Sequence, residues 1–143
     1  MLFEKRKRVV NRILIVEDEP LTAFDTENRI GDFGYQVVAT LDRFAHAIET
    51  LDREQVDLIL SDVRLTGQRT GIDLANEARR RGIPVLFVTG AAPDNASELV
   101  IGVLEKPYND RTLKSALTAV DCYLAGEKAR PPRGLTLFPQ AKV

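Results

Sequence analysis

The chain has 143 residues, of which 44% are hydrophobic and 29% charged, a composition typical of one soluble globular domain with its own core. It contains no apolar run near the roughly 18 residues that a membrane span needs, and no apolar run follows the basic N-terminus as in a secretory signal. The single cysteine, Cys122, excludes an internal disulfide and favours a reduced, cytoplasmic setting.

The net charge of −1 is unevenly distributed along the chain. Residues 1–12 hold five basic and one acidic residue, residues 126–143 hold four basic and one acidic, and the body between them holds 11 basic and 19 acidic. An acidic body is not expected to bind nucleic acid directly, because DNA-binding domains show a basic face. We interpret residues 1–11 as a basic, solvated and flexible N-terminal arm.

Short apolar runs recur at intervals of about 20 to 25 residues. They are unbroken rather than alternating, which is typical of parallel strands buried on both faces of a sheet. The predicted strands are Ile13–Val16, Val37–Ala39, Leu58–Leu60, Val85–Val88 and Val103–Leu104.

Stretches of helical length lie between these strands. Apolar residues recur on one helical face over Phe44–Leu51 and over Leu113–Leu124, which predicts two amphipathic helices. A third helix is predicted over Thr70–Arg81, whereas Pro93–Val100 has only a weak helical signal. The alternation of strands and helices predicts an α/β fold with a doubly wound parallel sheet.

Several residues are suited to begin or end these helices. Pro20 fits the first turn of a helix, Gly82 fits a helix end, and Asn109 or Asp110 fits an N-cap. After about Gly126 the alternation ends.

The last 18 residues contain three prolines and one β-like piece, Leu135–Phe138, and are too few to bury a core of their own. Two interpretations of this segment stay open: a disordered tail, which we favour, and a strand that docks on a sheet edge of this chain or of a neighbour. The predicted organisation is therefore an arm over residues 1–11, one domain over 12–125 and a proline-containing extension over 126–143.

Polar residues stand where four of the predicted strands end. Because ligands of an open α/β sheet bind at the carboxyl ends of its strands, we expect these side chains to meet at one edge. In chain order they are Glu17, Asp18 and Glu19, then Asp62, then Thr89 and Gly90, and finally Lys106.

Carboxylates from two strands, a hydroxyl and a lysine form a specific combination. Adjacent acids repel one another and raise one another's pKa, so they require a nearby positive charge or exposure to water. Glu17, Asp18 and Asp62 suit Mg²⁺, which takes a few carboxylates and keeps waters or phosphate oxygens as its other ligands. Thr89 and Lys106 can bind phosphoryl oxygens, and a carboxylate can accept phosphorus as an aspartyl phosphate. Any one of these residues alone is more often a turn or cap residue.

At these residues the sequence resembles the receiver domain of two-component response regulators, from about Arg12 to Leu124. The resemblance lies in the stretches VEDEP, LILSDVRL, FVTG and EKPY, in that order and at spacings typical of the family. It implies a flavodoxin-like, five-stranded parallel sheet with strand order 2-1-3-4-5 and helices on both faces.

The resemblance also implies the roles of the site residues. Asp62 would accept a phosphoryl group from a histidine of a partner kinase, and Thr89 and Lys106 would bind its oxygens. The implied Mg²⁺ ligands are Asp62, Asp18 directly, Glu17 directly or through water, and the backbone carbonyl of Arg64. Glu19 is interpreted as a helix-start residue only.

The sequence departs from the family pattern in three places, one of which is a slightly longer loop, Thr66–Gly71, where many members have a proline. Val103 stands where the family usually has the Tyr or Phe of its switch, and the interval from Thr89 to Lys106 is shorter than typical, which predicts a short or mobile fourth helix. Phe87–Gly90 is a partial match to the atypical subgroup named after its F-A-T-G-x-G-Y motif. Tyr108 is a candidate for an alternative aromatic.

We expect a stand-alone receiver that changes its affinity for a downstream protein when a sensor histidine kinase or phosphotransfer protein phosphorylates it. It is expected to contact neither nucleic acid nor membrane directly and to catalyse only its own phosphorylation and hydrolysis; a homodimer is left open.

Two alternatives stay open: an Mg²⁺-dependent phosphatase on a similar sheet, and an interaction module that does not use phosphorylation. The phosphatase would normally have an aspartate two residues after its nucleophile, where this chain has Arg64.

Overall fold

Strands and helices alternate along the part of the chain that the computed structural model describes, residues 7–139. The strands are β1 (Arg12–Val16), β2 (Gln36–Leu41), β3 (Leu58–Ser61), β4 (Val85–Thr89), β5 (Gly102–Glu105) and β6 (Leu135–Leu137). The helices are α1 (Pro20–Asp32), α2 (Phe44–Arg53), α3 (Gly71–Arg80), α4 (Ala96–Leu99) and α5 (Asp110–Leu124).

The strands form one sheet in the order β2-β1-β3-β4-β5-β6. The first five are parallel, and β6 pairs antiparallel with β5. The predicted flavodoxin-like order 2-1-3-4-5 is confirmed, and β6 adds a sixth strand at the edge.

Each central strand contributes side chains to both faces of the sheet. Along β1, Ile13 and Ile15 pack into one buried cluster, with α5, whereas Leu14 and Val16 pack into the other, with α2 and α3. All four side chains are at most 2% exposed. This double burial is why the strands read as unbroken apolar runs.

The predicted helix boundaries agree with the structure at most positions. Pro20 opens α1, and Glu19 is its N-cap through a hydrogen bond from the N–H of Leu21. Asn109 caps α5, and Gly82 follows α3 with a φ of 73°, a left-handed conformation that favours glycine. The weak helical signal before β5 corresponds to α4, which has only four residues. Within residues 7–139, no helix is long and apolar enough to cross a bilayer.

The C-terminal segment differs from the favoured interpretation of a disordered tail. Leu135–Leu137 forms β6 on the edge of this chain's own β5, and Leu135 is only 6% exposed. Docking satisfies backbone groups of an otherwise open sheet edge and buries apolar side chains, two gains that a free tail would forgo.

The structure also differs from the predicted solvated arm at residues 8–11; residues 1–6 of that arm lie outside the described residues. Arg8 lies over the ring of Tyr35, 4.0 Å from its centroid, and Val10 is 1% exposed. The backbone N–H groups of Val9 and Val10 both donate to Oδ1 of the buried Asp121, at 2.8 and 2.7 Å. A buried carboxylate requires such donors, and here the N-terminal segment supplies them.

Candidate functional site

The carboxyl ends of β1, β3 and β5 bring three predicted site residues into contact. Glu17 follows β1, Asp62 follows β3, and Lys106 follows β5. The Nζ of Lys106 donates to Oδ2 of Asp62 at 2.8 Å and also donates to Oε1 of Glu17. Residues far apart in the chain thus meet at one edge of the sheet, as the motif spacing predicts.

The acidic residues of this edge form a compact cluster. One carboxylate oxygen from each of Glu17, Asp18 and Asp62 lies within 4.8 Å of the other two. Glu17 is buried, Asp62 is half-buried, and Asp18 is exposed. Two of the acids therefore form the floor of a site that opens to solvent beside the third.

This oxygen-rich cluster fits a small hard cation. Three carboxylates converge, and within residues 7–139 Lys106 is the cation that pairs with them. A cation such as Mg²⁺ binds one or two carboxylates and keeps several waters or phosphate oxygens, which the solvent-facing side can supply. The residues that could hold it are Glu17, Asp18 and Asp62; a role for the Arg64 carbonyl stays a prediction.

The buried ion pair perturbs both of its partners. Burial raises the pKa of Glu17 above its ordinary value, and the hydrogen bonds from Lys106 and from the N–H of Glu19 offset only part of that effect. For Lys106, burial lowers the pKa, but the hydrogen bonds to Asp62 and Glu17 outweigh it, so the pKa rises. Lys106 is therefore held in its charged form beside Asp62.

The backbone around Asp62 holds its carboxylate in place. Oδ1 accepts hydrogen bonds from the N–H of Val63 at 2.6 Å and from the N–H of Arg64 at 3.4 Å. Oδ2 accepts from Lys106. The two oxygens therefore differ: one faces the loop and the other faces the cation.

Gly71 is a site-shaping residue that the sequence reasoning missed. It begins α3, its N–H donates to the carbonyl of Val63 at 2.8 Å, and a Cβ at this position would lie 2.1 Å from the carbonyl oxygen of Asp62. Only glycine permits the loop after Asp62 to close this tightly on the helix. The available signal was a glycine beside a Thr-x-x-Asp capping pattern, which marks the helix start but not the close approach.

Thr89 lies at the same edge but its hydroxyl points elsewhere. The side chain is 6% exposed at the end of β4, and its Oγ1 accepts a hydrogen bond from the N–H of Ala91 at 3.2 Å. The hydroxyl makes no hydrogen bond to Asp62. Of the two predicted phosphoryl-binding side chains, the structure places Lys106 in contact with the acceptor and Thr89 at the end of the strand next to β3.

The two residues linked to the predicted switch lie in different surroundings. Val103 is 6% exposed and packs in the cluster that lies against α2 and α3. The hydroxyl of Tyr108 shares a hydrogen bond with Oγ1 of Thr26 on α1, at 3.1 Å. Tyr108 is thereby tied to α1, and its role as an alternative aromatic stays a prediction.

Comparison with known proteins assigns this arrangement to a family. The response regulator receiver domain matches residues 13–118, a range that runs from the second residue of β1 through β5 and includes Glu17, Asp18, Asp62 and Lys106. The chain belongs to the response regulator receiver family. The resemblance carried by the four motifs is thus confirmed.

Named relatives of this receiver include regulators from several bacteria. The transcriptional regulatory protein PdtaR of Mycobacterium tuberculosis is 34% identical over 115 residues, which cover 76% of this chain and 56% of PdtaR. The phyllosphere-induced regulator PhyR of Methylorubrum extorquens is 31% identical over 83 residues, covering 57% of this chain and 31% of PhyR. The chain therefore spans about half or less of the length of these relatives.

Solved structures of receivers match the fold described above. The response regulator PhyR from Brucella abortus superposes with a TM-score of 0.68 and 28% identity, covering 84% of this chain and 51% of that one. SdrG from Pseudomonas melonis, in its BeF₃-activated conformation, has a TM-score of 0.64 and 32% identity, covering 76% of this chain and 94% of SdrG. The second match shows that a receiver of nearly this extent has been solved in an activated form.

Proposed function

We propose that this receiver accepts a phosphoryl group on Asp62 from a histidine of a sensor kinase or phosphotransfer protein, with Mg²⁺ as cofactor. One observation carries the proposal: Lys106 binds Asp62 at 2.8 Å at the rim of a three-carboxylate cluster. A half-buried carboxylate with a fixed cation on one side and solvent access on the other is suited to receive an anion.

The transfer exchanges one bond to phosphorus for another. A carboxylate oxygen of Asp62 bonds to phosphorus as the bond to the histidine ring nitrogen breaks, and the electron pair of that bond stays on the ring. A proton on the other ring nitrogen makes the leaving group a neutral imidazole. Mg²⁺, held by Glu17, Asp18, Asp62 and the Arg64 carbonyl, would neutralise charge on the phosphoryl oxygens.

The chain's own cation would also stabilise the product. Phosphorylation leaves a group of nearly two negative charges at Asp62, beside the charged Lys106. The Thr89 hydroxyl donates to the carbonyl of Ala91 at 3.4 Å, and because a hydroxyl has one hydrogen to donate, it must give up this bond to donate to the phosphoryl group. We therefore place the conformational switch at the end of β4.

Relatives support a response of this kind. SdrG was solved in a BeF₃-activated conformation, and beryllium trifluoride is an analogue of a phosphoryl group. A PhyR from Bartonella quintana is described as an anti-anti-sigma factor. By analogy, the output here is a changed affinity for a partner protein, in the cytoplasm and with no separate substrate turned over.

Acetyl phosphate, which transfers phosphoryl groups without a kinase, tests the proposal. With Mg²⁺ present, intact mass should show a gain of one phosphoryl group, lost in Asp62→Asn and with excess EDTA. No gain in the unmodified chain contradicts the proposal and favours the phosphorylation-independent module. Continuous turnover of phosphate esters would instead indicate the phosphatase.

A further inference from the structure

The strand β6 covers the edge of β5 with its own backbone. The residue pairs are Gly102 with Leu137, Val103 with Thr136 and Leu104 with Leu135. Beyond the strand ends, the N–H of Glu105 donates to the carbonyl of Gly134 at 2.9 Å, and the N–H of Phe138 donates to the carbonyl of Ile101 at 2.8 Å. The whole length of β5 is therefore paired on this side.

The sequence of β5 is shaped to receive this strand. A Cβ on Gly102 would lie 2.4 Å from the carbonyl oxygen of Thr136, so any residue but glycine would force β6 away. The φ of Gly102 is not in the left-handed region, so backbone conformation does not require glycine here. The close approach of β6 does.

The far end of the covering segment is fastened to α5. The hydroxyl of Tyr123 donates to the carbonyl of Phe138 at 2.5 Å. The side chain of Phe138 packs against one buried cluster, and Leu135 and Leu137 pack with the other. The segment Gly134–Phe138, which we call the edge strap, thus closes over both layers of the fold.

The near end of the edge strap adjoins the proposed phosphorylation site. Glu105 is bound to Gly134 of the strap, and the next residue, Lys106, donates its N–H to the carbonyl of Thr89 at 3.0 Å. The end of β5 is therefore held between the strap on one side and β4 on the other. If Lys106 and Thr89 move toward a phosphoryl group, the Glu105–Gly134 hydrogen bond is the first strap contact to be strained.

The edge strap is the least extensive strand of the sheet. Only three of its residues, those of β6, are paired as a strand. Thr136 is exposed, and Leu137 and Phe138 are half-buried. Opening free energies are lowest for short peripheral elements with few buried contacts. A small change at one end can therefore release it without unfolding the domain.

We propose that the edge strap is an autoinhibitory element, released from β5 when Asp62 is phosphorylated, and that the bared edge binds an extended strand of the partner protein. The strap defines what fits: a strand antiparallel to β5, with its backbone passing closely over Gly102. Strand addition supplies affinity through main-chain hydrogen bonds. This inference rests on the proposed phosphorylation of Asp62.

Amide hydrogen exchange of the full chain, with and without BeF₃⁻ and Mg²⁺, tests the release. We expect loading to speed exchange of the Glu105 and Phe138 amides at least about tenfold, while amides of β1 and β3 keep their rates. Unchanged exchange at Glu105 and Phe138 in a loaded protein overturns this inference alone. Exchange that rises equally in β1 overturns it as well, because the change is then global. If acetyl phosphate adds no phosphoryl mass to the chain, the proposed function is overturned, and so is the proposed trigger for release of the edge strap.

Two matched variants test the contact itself. Gly102→Ala should speed exchange of the Phe138 amide without BeF₃⁻, because its Cβ would displace Thr136. Gly31→Ala makes the same change where no atom lies within 4 Å of the new Cβ, and should leave that amide protected. Acetyl phosphate labelling of both variants verifies that they are folded. Equal protection in the two variants would contradict the proposal.

Discussion

Lys106 and Asp62 lie 44 residues apart in the chain and are joined by a hydrogen bond of 2.8 Å between Nζ and Oδ2. The same ammonium group binds Glu17, which is 7% exposed, so one cation is shared by two carboxylates of the cluster. Removing it would leave a buried carboxylate without its cation, a situation that costs stability.

We therefore expect Lys106→Met, measured without Mg²⁺, to lower the free energy of unfolding by about 1–3 kcal/mol, because Glu17 loses its counter-charge. The double variant Lys106→Met/Glu17→Gln should recover part of this loss, since the uncompensated charge is gone. Urea denaturation at neutral pH measures both. Arg80→Met, which breaks an exposed ion pair with Glu77, is the control and should change stability by less than about 0.5 kcal/mol. Strict additivity of the two site substitutions would show that the residues are not coupled.

Gly71→Ala adds only a methyl group, yet it should strongly slow phosphorylation of Asp62. Its Cβ would lie 2.1 Å from the carbonyl oxygen of Asp62, so the loop after the acceptor must shift. We expect phosphoryl mass to be gained at least about tenfold more slowly with acetyl phosphate. The reason is that displacing a reacting group by about 1 Å lowers the reaction rate by that factor or more. Gly31→Ala, with open space around its Cβ, should label at the normal rate. Normal labelling of both variants would contradict the close approach.

The hydrogen bonding at the start of α3 predicts how the free energy of unfolding changes at acid pH. Asp73 accepts a hydrogen bond from the N–H of Thr70 at 2.7 Å, and this bond lowers the pKa of Asp73 below its ordinary value of 3.8. Because the folded-state pKa is lowered, the stabilisation is complete above about pH 4 and is lost as the pH falls through the folded-state value. Asp73→Asn should cost about 1 kcal/mol at pH 7 and progressively less as the pH falls below about 4, measured by urea denaturation. A pH-independent difference would assign the loss to something other than the carboxylate's charge.

Asp121→Ala should release the N-terminal segment. The N–H groups of Val9 and Val10 lose their acceptor, and leaving the buried Val10 donor without one destabilises the fold by about 1–3 kcal/mol. Trypsin should then cut after Arg8 faster than it does in the unmodified chain. Mass spectrometry follows the rate of this cleavage. Asp121→Asn keeps an acceptor oxygen, so trypsin should cut this variant at close to the normal rate. Equal rates for the alanine variant and the unmodified chain would show that Asp121 does not hold the segment.

The sequence predicts those parts of the fold that local patterns encode. The apolar runs located β1 to β5, because strands buried on both faces have no polar positions. Asn109, one of the two predicted N-caps, followed from local hydrogen bonding, and Glu19 stands at a helix start as predicted. The convergence of Glu17, Asp62 and Lys106 followed from the rule that strand ends of a parallel sheet share an edge.

What the sequence did not predict depends on contacts distant in the chain. Nothing local in Leu135–Leu137 says that Gly102 leaves room for it, so a free tail was the favoured interpretation. The burial of Val10 depends on Asp121, more than a hundred residues away. The direction of the Thr89 hydroxyl depends on the conformation of the following loop, which composition does not fix.

The turn of α5 that contains Asp121 and Tyr123 has a practical consequence. Asp121 binds the backbone that leads toward the N-terminus, and Tyr123 binds the backbone that leads toward the C-terminus. A force applied through residues near the two ends of the described segment would thus reach this helical turn before it reached the acidic edge. Dye labels attached there would likewise report on this turn. A fluorescence pair intended to follow Asp62 should instead be attached at positions within the domain, away from that shared anchor.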